Sequence, residues 1–174
     1  QGVFQEMTLS MRIAPHLPLL RRYARAVAGS QASGDAYVAA ALETLIADPG
    51  SLPQASGDRV ALYKLFATLF GSVAIEVRPM DSPFAWENRA AENLARMSPK
   101  SRQAFLLAYV EGFSPEEVAD ILGVDAKGVA TLLGRAAEEI SRQVATDILI
   151  IEDEPLIAMD IEEMVESLGH RVVG

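Results

Sequence analysis

The sequence predicts a mainly α protein: two small helical modules in a row, then the βα start of an α/β domain. Three observations carry that prediction. Apolar residues recur at three- and four-residue spacing over much of the stretch between Leu17 and Ile140, and Pro, Gly, Ser and Asp punctuate those repeats at helix starts and stops. At Thr146 the pattern changes to a short β-branched run followed by an acidic loop. The chain has 174 residues, half of them apolar, and no Cys. That is enough to bury a core without disulfides or a structural metal. Thiol chemistry is excluded, and with His16 and His170 as the two histidines a His-rich zinc site is not expected. No apolar run approaches the roughly 20 residues of a membrane helix. The chain start lacks a basic-then-apolar signal, so a cytoplasmic location without a membrane partner is expected. Gln1-Gly2 ahead of Met7 reads as an appended segment, and residues 1–6 are set aside.

Leu17, Leu20, Tyr23, Ala24 and Val27 predict an amphipathic helix over about 18–28 that stops at Gly29, with Pro15 and Pro18 confining it to the C-terminal side. Tyr37, Val38, Ala41, Leu42, Leu45 and Ile46 predict a second helix over about 34–47, broken by Asp48-Pro49-Gly50. Residues 48–58 are rich in Pro, Gly, Ser and Asp and read as a loop. A third, strongly apolar helix is expected over 60–77 through Leu62, Leu65, Phe66, Leu69, Phe70 and Val73. These elements make a first module at 7–77, and Arg78 to Pro83 reads as a linker, residues 78–83.

The second module, 84–145, has clearer punctuation. Ser98-Pro99 opens a helix through Phe105, Leu106, Tyr109 and Val110 that ends at Gly112. Ser114-Pro115-Glu116-Glu117 carries a capping box and opens a short helix through Val118, Ile121 and Leu122, closed by Gly123. Asp125 caps a third helix with Val129, Leu133, Ala136 and Ile140 on one face, so the two helices joined at Gly123 form a helix-turn-helix. Beyond it, Ile148-Leu149-Ile150-Ile151 predicts a buried parallel strand, Glu152-Asp153-Glu154-Pro155 an acidic loop, 156–168 an amphipathic helix, and Arg171-Val172-Val173 a second strand. One helix cannot cover both faces of a sheet, so 146–174 is expected to be the front of a larger domain.

The charge is divided unevenly. The whole chain carries −9, and residues 147–174 hold 1 basic and 8 acidic side chains of the total 15 and 24. Between Met7 and Gly34 the only charges are Arg12, Arg21, Arg22 and Arg25, so the chain start is locally basic. Across the helix-turn-helix, residues 114–142, 3 basic face 6 acidic side chains, the reverse of what a phosphate-binding surface needs. No nucleophile-and-base pair stands out, so an enzyme is not expected.

The segment from Met97-Ser98-Pro99 through Glu111-Gly112-Phe113-Ser114 to Arg135-Ala136 resembles region 4 of extracytoplasmic-function sigma factors. The family's recognition helix carries Arg and Lys toward the promoter. Here Ala130, Leu132, Ala137 and Glu139 stand at those outward positions, while Val129, Leu133, Ala136 and Ile140 keep the apolar side. A face that is neutral, apolar or acidic at those positions is poorly suited to phosphates and base edges, so no DNA partner is expected, and an exposed Leu132 beside Ala130 points to a protein partner. Pro18 to Arg25 and Gly34 to Leu42 are similar to the opening of sigma region 2, with Ala39 and Ala40 where polar residues usually stand. Residues 148–155 resemble the first strand and acidic loop of response-regulator receiver domains. That resemblance implies that Glu152 and Asp153 form half of a Mg²⁺ site that is complete only in an intact receiver, with no cofactor expected in these 174 residues. It also implies a phosphate-accepting Asp at the end of a third strand, which the chain does not include.

A sigma-like pair of modules followed by a receiver resembles the PhyR family, the anti-anti-sigma response regulators of the general stress response. The resemblance implies capture of a small NepR-type anti-sigma factor once a sensor histidine kinase has phosphorylated the receiver, which frees the true sigma factor. A functional sigma factor or a DNA-binding response regulator is the alternative that the charge count disfavours. The interface is expected along Ala130, Leu132 and Leu133, along Val118 and Leu122 of the short helix, and along Arg21, Arg22 and Arg25. The same face could dock the receiver in the inactive state.

Overall fold

In the computed structural model, which describes residues 8–72, 84, 88 and 97–173, the regular elements described up to residue 144 are all helical. The chain opens with a short α1 (Leu9–Ile13) and a 3-10 turn (Ala14–His16), neither expected from a Pro-interrupted stretch. Pro15 and Pro18 fall in the first turns of the 3-10 turn and of α2 (Leu17–Ala28), where a missing N–H leaves no helix bond unmade. Ile13 is buried, and Arg12 pairs with Asp58, which ties the opening turn down. α2 stops where the sequence says, at Gly29 with a left-handed φ of 80°.

α3 (Gln31–Ala47) begins three residues before the apolar spacing does, because the Ser30 hydroxyl accepts the Ser33 N–H at 3.1 Å and caps the helix there. The α2–α3 crossing depends on Gly34. A Cβ on that residue would lie 2.6 Å from the Arg25 backbone nitrogen, so no side chain fits without parting the helices. A 3-10 turn (Pro49–Ser51) starts the following loop, and α4 (Asp58–Ser72) closes the first module. Tyr23, Tyr63 and Phe66 are fully buried at its centre, with Tyr23 to Tyr63 at 5.2 Å and Phe66 stacked on Phe70 at 5.9 Å. The expected continuation of α4 through 73–77 and the 78–83 linker lie outside the described residues.

α5 (Pro99–Phe105) widens into a π-helical turn (Leu106–Val110), in which the Glu111 N–H donates to the Leu106 carbonyl at 2.9 Å. That widening is not visible in the apolar spacing. α6 (Pro115–Leu122) has both bonds of the expected capping box, Glu117 N–H to Ser114 Oγ at 3.2 Å and Ser114 N–H to Glu117 Oε2 at 2.9 Å, and ends at Gly123 with φ 63°. α7 (Ala126–Val144) is capped by Asp125, whose Oδ1 accepts the Gly128 N–H at 2.7 Å. The two modules share one core. Buried residues from Ile13 to Phe66 and from Ala104 to Val129 form a single cluster, with α4 lying along α6 and α2 against the π turn and α5.

The C-terminal part is a βαβ unit: β1 (Asp147–Ile148), α8 (Pro155–Ser167) and β2 (Arg171–Val172), with the strands parallel and Asp147 opposite Arg171. The expected buried strand over 148–151 is corrected in two ways. Only its first residue pairs, and Leu149 and Ile151 are 60% and 89% exposed, because among the described residues no second layer packs on that sheet.

Candidate protein-binding site

α7 occupies the recognition-helix position, and its packing sorts the four positions where sigma factors carry cations. Val129 and Ala136 are buried and hold the helix in place. Ala130 and Ala137 are exposed and present methyl groups. Leu132 differs from expectation: it is half-buried, packed against the core beside Leu133, since residue 132 lies at the edge of the inward stripe rather than opposite it. Glu139 is half-buried as well, and its carboxylate accepts the Ser98 N–H at 3.3 Å, so it braces the start of α5. Lys127, Arg135 and Arg142 are exposed cations, and they alternate with Glu138 and with small neutral residues. The face therefore has no continuous cationic stripe for phosphate.

The other candidates divide between wall and scaffold. Val118 is corrected from a contact residue to a core residue: fully buried, it faces inward from α6 and offers a partner nothing. Leu122, one turn on, is half-buried and lines a groove. The groove, about 790 Å³, runs between α4 and the α5–α6 pair, so each module supplies one wall. Ala67 and Phe70 face Ile121 and Leu122 across it, and Lys64 and Lys100 sit at its rim. Lys64 also reaches across to Asp120, 2.5 Å away, and so links the walls. An apolar floor with two lysines beside it suits an amphipathic helix that carries acidic residues.

Arg21, Arg22 and Arg25 are not free. Arg21 grips Asp35 with two hydrogen bonds, at 3.1 and 2.9 Å, and Arg25 meets the same carboxylate at 3.4 Å. The Arg21 hydrogen bonds hold the Asp35 carboxyl below its usual range. Arg22 is committed to Glu111, 2.8 Å away. The locally basic chain start is therefore largely spent within the fold.

Glu111 is the residue that sequence reasoning missed. It stands at the end of the π turn with its side chain wholly buried, and it receives Arg22, Arg59 and Tyr63, the last through the hydroxyl at 2.8 Å. Arg59 also donates to the Glu111 backbone carbonyl at 2.7 Å and lies over the Phe113 ring, 4.1 Å from its centroid. Burial, followed by the Glu111 carboxylate, pushes the Tyr63 hydroxyl well above its usual pKa, so it stays a donor. The partners lie 48, 52 and 89 residues upstream, beyond the reach of any local pattern.

Glu152 and Asp153 follow β1 as expected, both exposed, with Glu152 Oε1 accepting the Glu154 N–H at 3.0 Å. Their hard oxygens are of the kind that suits Mg²⁺, and among the described residues no third His, Asp or Glu converges on them.

Helix-turn-helix geometry, a recognition helix without a continuous cationic stripe and an attached βαβ unit define a sigma-like helical fold joined to a small parallel sheet. A family model described as the Sigma2 domain of PhyR matches residues 13–67, and one described as the sigma-like domain of response regulator PhyR matches 94–143, together more than half of the chain. The chain belongs to the PhyR family. It is 45% identical over 168 residues to the phyllosphere-induced regulator PhyR of Methylorubrum extorquens, an alignment that takes in 97% of this chain and 62% of that protein. It is 53% identical to the anti-anti-sigma factor PhyR of Bartonella quintana in co-crystal with the anti-sigma factor NepR, with a TM-score of 0.82 over 96% of this chain and 63% of that one. Against the Bartonella PhyR structure without NepR, at the same identity, the TM-score is 0.62 over 96% of this chain and 60% of that one. The chain thus spans under two thirds of the length of these relatives.

Proposed function

We propose that this chain is the sigma-mimicking part of an anti-anti-sigma response regulator that captures a small NepR-type anti-sigma factor. The observation that carries this reading is α7: a recognition helix in sigma-like packing whose outward Ala130 and Ala137 and bracing Glu139 replace the cations a promoter reader needs. A surface that keeps the sigma shape and drops the DNA contacts competes for an anti-sigma factor without competing for promoters. The two-walled groove beside Leu122 gives a helical partner an apolar seat. The higher TM-score against the NepR-bound Bartonella structure than against the unbound one supports an overall arrangement of the chain nearer to the bound form.

In the full-length protein, a sensor kinase would phosphorylate the receiver, with Mg²⁺ held in part by Glu152 and Asp153, and phosphorylation would free the groove. A location in the cytoplasm accords with this role, and among the described residues no helix is long and apolar enough to cross a membrane. The test is a titration of this chain with a purified NepR-type anti-sigma factor, alongside promoter DNA and RNA polymerase core, over a range of salt. Saturable binding to the anti-sigma factor alone is expected. Binding to DNA that weakens steeply with salt, or to polymerase core, with none to the anti-sigma factor, would make this a working sigma factor instead.

A further inference from the structure

We infer that Glu111 is a latch that sets the angle between the two helical modules and thereby the width of the groove. One fully buried carboxylate on the second module gathers three side chains from two helices of the first: Arg22 on α2, and Arg59 and Tyr63 on α4. Arg59 adds a bond to the backbone of the same residue, so the π turn is held at its main chain as well as its side chain. The π turn itself brings Glu111 to this point, since its wider coil displaces the end of α5 relative to a regular helix.

The neighbouring links between modules are of a different kind. Lys64 to Asp120 is a half-exposed ion pair, worth little in water. Arg102 Nη1 donates to the Val27 carbonyl at 2.7 Å, a bond from a side chain to the main chain at the end of α2. Among the described residues, Glu111 is the carboxylate whose side chain is wholly buried and whose cations come from the other module, and such a carboxylate parted from its cations is strongly unfavourable. The latch therefore favours one docking angle over a range of looser ones. Tyr23 packs against Tyr63 at 5.2 Å and is itself fully buried, so the latch is backed by an aromatic contact within the first module.

The chain has no Cys, so Glu43→Cys on α3 and Arg135→Cys on α7, both exposed positions, place two unique spin labels, one on each module. Double electron–electron resonance should give one narrow distance distribution for the otherwise unchanged chain, and a broader or shifted one for Glu111→Gln at unchanged far-UV helicity. If Glu111→Gln does not fold, Arg22→Ala combined with Tyr63→Phe decides the matter. That pair removes two donors and leaves Arg59 on the carboxylate, and it should also broaden the distribution. Superimposable distributions at unchanged helicity, in whichever variant folds, overturn the latch. For its effect on binding, the inference rests on the anti-sigma reading above: if the competent angle falls to a tenth of the population, affinity falls about tenfold. The distance measurement needs no partner. An unlabelled parent chain that fails to bind any anti-sigma factor, with broadening still seen in Glu111→Gln, would refute that reading and support the latch.

Discussion

The helical body and the C-terminal βαβ unit are built from similarly apolar helices, and they bury them very differently. In the body, Leu20, Tyr63, Phe66 and Val118 have no exposed surface at all. In the unit from 147 to 173 no residue is buried, and Leu156, Met159, Met164 and Leu168 stand 63–73% exposed. Apolar spacing names the face of a helix that seeks cover, but a neighbouring layer decides whether it finds any. The body's helices face one another across a single core; among the described residues, α8 has only a two-residue ladder to lie on.

The largest expected effect tests that contrast directly. Phe66→Ala removes a ring packed on Tyr23 and Phe70 and should cost about 3–5 kcal/mol in urea unfolding. Met159→Ala, on the exposed face of α8, should stay within about 0.5 kcal/mol. Equal losses at the two sites would break the comparison. Glycine sharpens it on a smaller scale. Gly34→Ala forces a methyl onto the α2 backbone and should destabilise by about 1–3 kcal/mol. Gly134→Ala, on exposed α7 with nothing within 4 Å of the added Cβ, should stabilise by about 0.5–1 kcal/mol.

The smallest effect concerns acid. Arg21 holds the Asp35 carboxyl below its unfolded value, and Arg12 does the same for Asp58, so each contributes stability that is present above the ordinary carboxylate pKa of about 4 and is lost as pH falls through the folded value. Urea midpoints measured from pH 7 down to pH 3 should therefore fall below pH 4. Asp35→Asn should flatten part of that slope, and a slope identical to the parent's would show that the Arg21 pair contributes nothing.

Much of the architecture was legible because its signals are local. The Ser114–Glu117 capping box, Asp125 capping Gly128, and the stops at Gly29 and Gly123 each act within a few residues. The bare outer face of α7 was legible for the same reason, since Ala130 and Ala137 follow from helical period alone. What escaped depends on distant segments. Glu111 draws on Arg22, 89 residues away, and Val118 and Leu132 are covered by a core that only the assembled modules create. The arginines of α2 looked like a free basic face because Asp35 and Glu111 come to them only when α3 and the π turn are in place.

One competition measurement bears most directly on the central claim. A fluorescent sigma factor held in complex with its NepR-type anti-sigma factor is mixed with increasing amounts of this chain, and release is followed by anisotropy. Sigma-factor release that saturates near one equivalent of the chain, with no change on adding promoter DNA, is the predicted result. A sigma factor that stays bound at large excess of the chain, while the chain itself associates with promoter DNA or polymerase core, would contradict the account.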